Sequence, residues 1–180
     1  MSRIPAVDPA ASTGNVKTML AGVQKGLGMT PNLFRVAAQS PAALEALTSL
    51  FGAVSKGRLD AKTREAIALT VSEINACDYC LSAHTALGRG AGLGDADLDK
   101  ARDASAADPR LAAILRFARS VTVNRGKATE ADLAEVRRAG LADGEIVDLV
   151  ANVALTTFTN YLNEVAGTEI DFPVVRHHER

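Results

Sequence analysis

Tryptophan is absent, and aromatic residues make up only 4% of the 180 in the chain. Strands draw on aromatic and β-branched side chains, whereas closely packed helices are served by small and unbranched ones. With Ala and Leu abundant, the shortage points to packed helices rather than sheets. An excess of one charge is missing too, since the formal net charge is −1. That leaves no electrostatic footprint for nucleic acid or an anionic membrane. Nor is there an unbroken apolar run of membrane length. The most apolar late segment, Ile146 to Val165, is interrupted by Asp148, Asn152, Asn160, Asn163 and Glu164, which excludes a spanning helix. The opening stretch from Met1 to Pro9 has no apolar core and carries Pro5 and Pro9, so it does not read as a secretory leader. A cytoplasmic location is expected.

Cysteine is scarce as well. The chain has two, Cys77 and Cys80, in a C-x-x-C arrangement. In a reducing compartment such a pair is a poor structural staple, and redox or metal chemistry is the better reading. The cysteine-and-histidine pair that would complete a structural zinc site does not follow downstream. Cys77, Cys80, His84 and Glu65 could still make four ligands, but that reading is subordinate and no metal or cofactor is expected. The run Gly88-Arg-Gly-Ala-Gly-Leu-Gly94 does not complete G-x-G-x-x-G and follows a helix pattern, so it reads as a helix stop, not a phosphate loop.

What is present is helical punctuation. Residues 1–14 lack periodicity and read as an extended arm, and one helical domain fills 15–180, with an irregular tail from about 167. Apolar spacing predicts a helix over Asn15–Leu27 stopped by Gly28,. Thr30-Pro31, Ser40-Pro41 and Asp108-Pro109 look like caps followed by proline at the first helical position,. Asp60 opens a helix that is apolar almost all round from Ala66 to Val71. Another helix runs from Cys77 to Gly88, and a short one starts at Asp95 or Asp97. Thr129 with Asp132 fits a capping box,. Asp143 opens a long final helix with Ile146, Leu149, Val150, Val153, Ala154, Phe158, Tyr161 and Leu162 facing inward. The expectation is an all-α orthogonal bundle of about seven to nine helices.

On a helix starting near Cys77, the residues Cys77, Cys80 and His84 fall at i, i+3 and i+7, which share one face,. The helix N-terminus favours a thiolate at Cys77, and His84, one turn beyond Cys80, can exchange a proton with its sulfur. Glu65 lies in the preceding apolar helix. It either faces solvent or, turned toward the cysteines, becomes a usable general base. Glu73 sits at a helix end and reads as solvated, as do His177 and His178 in the charged tail. Tyr161 and Asn163 could border the pocket but read as structural members of the last helix.

Glu65, an apolar stretch and Cys77-x-x-Cys80-x-x-x-His84 together resemble the alkylhydroperoxidase D-like (AhpD-like) branch of the carboxymuconolactone decarboxylase superfamily. Ser72-Glu-Ile-Asn-x-Cys, Ala83-His84-x-x-x-Gly88 and the stretch Thr156-Thr-Phe-Thr-Asn-Tyr-Leu-Asn-Glu-Val-Ala-Gly-Thr add to the likeness, the last to its peroxidase-related members. The resemblance extends from about Thr30 to Pro173 and is strongest at the site. It implies a thiol peroxidase in which Cys80 attacks a hydroperoxide and Cys77 resolves the sulfenic acid. An external dithiol, such as a lipoyl or thioredoxin-like protein, then regenerates the pair. It also implies Glu65 as the base acting through His84 and a water, and a homo-oligomer (dimer, trimer or hexamer). Helix electrostatics alone would have made Cys77 the nucleophile; the resemblance and the His84 spacing favour Cys80. Tyr79 stands where the family can carry a second relay histidine, which implies a shorter relay and slower turnover. A lactone decarboxylase and a non-catalytic redox sensor are the alternatives.

Overall fold

Ser40, Asp60, Asp108 and Thr129 each accept a backbone N–H from three residues further on, and each opens a helix. Such caps contribute about 1 kcal/mol apiece by satisfying N–H groups that have no partner inside the helix. The computed structural model describes residues 2–178. Among these it contains nine helices and no strand: α1 (Gly14–Leu27), α2 (Asn32–Ala37), α3 (Pro41–Val54), α4 (Ala61–Ile74), α5 (Asp78–Gly90), α6 (Asp95–Arg102), α7 (Pro109–Val123), α8 (Glu130–Arg138) and α9 (Asp143–Ala166). The all-α reading holds. Boundaries moved where no side chain fixed them. Pro31, not Thr30, caps α2, because the Thr30 hydroxyl donates to Gln24 Oε1 instead. Cys77 is the cap of α5, which continues through Gly88 to Gly90.

Two apolar clusters divide the interior. One joins α4, α6, α7, α8 and the first half of α9 through Ile67, Leu69, Leu115, Val136 and Leu149. The other packs α1, α2 and α3 against Cys77, Tyr79, Cys80 and Ala83 of α5. Helix α5 lies at their seam, with Leu81 in the first cluster and both cysteines in the second. Gly88 lets α4 and α5 close on each other. A Cβ there would come 2.8 Å from Leu98 Cδ2 and 3.7 Å from the Cβ of Glu65.

The long helix α9 corrects the expected stripe. Ile146, Leu149 and Val153 are buried, but Val150, Ala154, Phe158 and Tyr161 face outward, Tyr161 at 60% exposure, and Leu162 is half-buried. The buried positions are instead Asn152, Leu155, Thr156, Thr159, Asn160 and Asn163. Polar side chains tolerate burial when they are hydrogen-bonded, and here most are. Asn160, for instance, donates to Ser72 Oγ at 3.1 Å and accepts from Asn75 Nδ2 at 2.8 Å.

The arm and tail are extended but anchored. The N–H groups of Arg3 and Ile4 reach Ala166 O, and Val7 exchanges bonds with Arg35. Met1 of the arm and Glu179 and Arg180 of the tail lie outside the described residues. In the tail, His177 binds Asp78 through its backbone N–H and its ring, and the His178 N–H donates to Glu73 Oε1. Neither histidine is merely solvated. Glu73 also departs from its reading, being 4% exposed and paired with Arg102 Nε at 2.8 Å. Burial works against its charge, yet the His178 N–H and the Arg102 guanidinium hold its carboxyl below the usual range. Arg102 in turn donates to Arg176 O, so one buried ion pair pins the tail across α4 and α6. Removing one partner of such a pair leaves an uncompensated buried charge. Arg102→Ala is therefore expected to cost about 3 kcal/mol, read as a lower urea midpoint; an unchanged midpoint would contradict the anchoring role.

Candidate active site

The turn between α4 and α5 sets the cysteines in place. Ala76 takes a left-handed conformation (φ 53°), one that L-residues other than glycine adopt at a cost. Its strain allows Cys77 N–H to bond back to Ser72 O. Cys77 is 0% exposed, Cys80 2%, and neither is in a disulfide. Glu65 from α4 and His84 from α5 meet directly: His84 Nδ1 lies 2.7 Å from Glu65 Oε2. Glu65 therefore faces the cysteine helix rather than solvent.

The electrostatics are asymmetric. Burial opposes ionisation of Cys80, but the hydrogen bond from the Cys77 thiol, the charge on His84 and the amides of Asn160 and Asn163 outweigh it, bringing the Cys80 thiol down to about 6. Cys77 moves the other way: its bond to Cys80 comes first, burial second, and both keep it protonated. Helix-end electrostatics had pointed to Cys77; the shared proton, the His84 charge and the Asn160 and Asn163 amides reverse that preference. At His84, burial disfavours the charged ring, while the Glu65 carboxylate and the Cys80 sulfur raise its pKa above the ordinary value. The arrangement therefore favours a thiolate at Cys80 and shifts His84 toward its charged form.

Tyr79 is not placed to carry protons for Cys80. Its hydroxyl donates to Asp171 Oδ1 at 2.8 Å and accepts from Leu33 N–H at 3.0 Å, and Phe172 packs edge-on against its ring. The tail thus clasps the helix that carries the cysteines. Above Cys80 and His84 opens a pocket walled by Leu27, Leu33, Phe34, Phe51, Leu87 and Phe172. Its cavity volume is about 70 Å³, narrow beside the pockets that enclose drug-sized ligands. A second opening, lined by Arg64, Glu65, Asn152 and Thr156, reaches His84 from the other side. Among the described residues no three His, Cys, Asp or Glu side chains converge on a point that could hold a metal ion, so the four-ligand zinc arrangement does not form. No helix of the described residues is long and apolar enough to cross a membrane.

Of the α9 residues at this site, the sequence reading weighed Asn163 as a pocket neighbour but took it as structural, and it missed Thr159 and Asn160. Asn163 Nδ2 lies 3.3 Å from Cys80 Sγ, and Thr159 Oγ1 3.9 Å. Their signal was present as the polar interruptions of an apolar segment. Tyr161, set beside Asn163 as a pocket candidate, points away from it.

Residues 41–122 match the Carboxymuconolactone decarboxylase family. An alkylhydroperoxidase AhpD core, an uncharacterised peroxidase-related protein of Ralstonia eutropha JMP134, superposes with a TM-score of 0.85 at 27% identity over 94% of this chain and 92% of its own. The likeness to the AhpD-like carboxymuconolactone decarboxylase superfamily thus covers residues 41–122 by sequence and nearly the whole chain by fold. A second neighbour, an uncharacterised peroxidase-related protein of Silicibacter sp. TM1040, has a TM-score of 0.80 at 27% identity, covering 92% of this chain and 88% of the other. The debrominase Bmp8, in complex with 2,3,4-tribromopyrrole, shares the fold alone, with a TM-score of 0.80 at 18% identity over 93% and 91% of the two chains. No curated protein matches the sequence. Enzymes of several chemistries thus use the AhpD-like frame.

Proposed function

We propose that this protein is a thiol peroxidase that reduces organic hydroperoxides through a Cys77–Cys80 dithiol/disulfide cycle. The observation that carries the reading is the Cys80 sulfur, poised as a thiolate at the floor of an apolar pocket with the Glu65–His84 pair beside it. Cys80 attacks the terminal oxygen of R–O–O–H. The O–O bond breaks, the sulfur is oxidised to Cys80–S–OH, and RO⁻ leaves as ROH with the proton held on His84. Thiolate is the competent nucleophile and sulfenic acid condenses with a neighbouring thiol. Cys77 supplies that thiol. Its proton is retained while Cys80 is anionic and is released once the negative sulfur has become S–OH. Attack of Cys77 on the Cys80 sulfur forms the disulfide and expels hydroxide, which leaves as water. An external dithiol returns two electrons and two protons, so the net change is ROOH plus dithiol to ROH, water and disulfide. Glu65 favours the charged form of His84 before attack and its reprotonation after the ring has given its proton to the leaving alkoxide.

The pocket walls argue for the substrate class. They carry no Lys or Arg, and the one cationic side chain, His84, is already paired with Glu65 and the Cys80 sulfur, so an apolar hydroperoxide is accommodated while a carboxylate-bearing lactone would find no free counter-charge. That weighs against the decarboxylase reading. Titration of the reduced protein with cumene hydroperoxide decides the matter: both thiols should disappear at one equivalent and return with a dithiol reductant. Persistence of both thiols would sink the cycle, and oxidation without turnover would favour a sensor.

The outward stripe Val147, Val150, Phe158, Tyr161 and Val165 on α9 is the face by which copies of the chain associate in this reading, as exposed apolar patches mark interaction sites. Light scattering should give a multiple of the 18.8 kDa monomer, and Tyr161→Lys should return it toward the monomer. A wild-type monomer would overturn that assignment.

A further inference from the structure

Asn163 is 2% exposed, yet its two amide atoms are treated unequally. Nδ2 donates to Cys80 Sγ at 3.3 Å. Oδ1 is buried, and no group among the described residues hydrogen-bonds it. Buried acceptors are rarely left so, because the desolvated lone pairs cost free energy until something donates to them. This orphan lies on the same amide that touches the reacting sulfur. The neighbouring Asn160 shows the contrast: its amide is satisfied on both ends by Ser72 and Asn75.

The peroxidase cycle creates the donor that Oδ1 lacks. In the resting thiolate there is no hydrogen on Cys80 to give. After attack, Cys80 carries S–OH, a hydroxyl in a pocket that is apolar at Leu33, Phe34 and Phe172 and polar only at Tyr79, His84 and Thr159, of which Tyr79 is already engaged by Asp171 and Leu33 and Thr159 donates to Thr156 O. A buried hydroxyl without a partner is unfavourable, and the free carbonyl belongs to the same amide whose nitrogen lies 3.3 Å from the sulfur. We propose that Asn163 is a two-sided cradle for Cys80: its N–H steadies the thiolate before attack, and its carbonyl oxygen receives the sulfenic hydrogen afterwards. The cradle holds the intermediate until Cys77 reaches it. The first role rests only on the geometry in the resting site; the second rests on the peroxidase reading.

The test uses the Cys77→Ser protein, in which Cys80 is the one remaining thiol. Two quantities are compared with and without Asn163→Leu: the pH midpoint of Cys80 alkylation by iodoacetamide, and the lifetime of the sulfenic acid formed by cumene hydroperoxide and trapped with dimedone. Loss of the donor should raise the midpoint by about one unit. Loss of the acceptor should shorten the sulfenic lifetime about tenfold, the sulfur running on to sulfinic acid. Asn163→Ala should shift both in the same direction and serves should the leucine variant not fold. An unchanged midpoint and lifetime would overturn the proposal. A raised midpoint with an unchanged lifetime would overturn the carbonyl's role and support the donor's. If Cys77→Ser forms no sulfenic acid at all, the peroxidase reading and the carbonyl's role fail together, while the midpoint still decides whether the amide steadies the thiolate.

Discussion

Cys80→Ser is expected to lower hydroperoxide consumption by more than about 10³-fold, because serine supplies no anion near neutral pH while Cys80 is already ionised above about 6. Cys77→Ser should behave differently. Its Cys80 still attacks, so one equivalent of hydroperoxide is consumed in a single turnover, after which the protein stalls with one added oxygen. The two variants separate the roles because the two sulfurs, though three residues apart, are held oppositely. Cys80 receives hydrogen bonds from Cys77 and Asn163 and faces the pocket; Cys77 is fully buried behind it and keeps its proton. Stopped-flow mixing followed by intact-mass measurement reads both outcomes. Should Cys77→Ser abolish the first turnover while Cys80→Ser retains it, the assignment of nucleophile is reversed.

How much of this was legible in the sequence depends on how local each signal is. Ser40, Asp60, Asp108 and Thr129 cap helices with side chains that reach three residues, so a short window contains both partners. The Glu65, Cys77, Cys80 and His84 spacing is legible for a similar reason, since two consecutive helices carry all four. What failed was long-range. Glu73 appears solvated until Arg102 and the His178 N–H arrive from elsewhere in the chain. The inward face of α9 was assigned by counting apolar residues, but Asn160 and Asn163 are buried because Ser72, Asn75 and Cys80, more than eighty positions away, bond them. Hydrophobic periodicity therefore misses the face of a helix that serves a polar site. The tail reads as irregular in sequence and is irregular in structure, yet Asp171 and Phe172 determine how Tyr79 is held.

Glu65→Gln is expected to reduce kcat/KM by about 10³-fold at neutral pH, within the range of positioned acid–base groups, and to change the shape of the pH profile. In the wild type, activity should rise as Cys80 ionises through about 6. It should fall again at higher pH, where His84 loses the proton that the leaving alkoxide needs. His84 titrates above its ordinary value because Glu65, 2.7 Å away, stabilises the imidazolium against burial. Glutamine keeps the shape and can still accept from the ring, but it removes the charge. Two limbs then move toward each other. The His84 limb falls back toward and below its ordinary value, since burial now acts unopposed. The Cys80 limb rises, since the imidazolium that favoured its thiolate is no longer populated. The bell narrows and sinks, and the pair loses its common ionised state. Glu65 also borders the opening shared with Arg64, Asn152 and Thr156, so protons reach His84 without crossing the apolar pocket that receives the substrate. A Glu65→Gln profile with wild-type height and width would show that the carboxylate is structural, and the proton supply would have to come from another group.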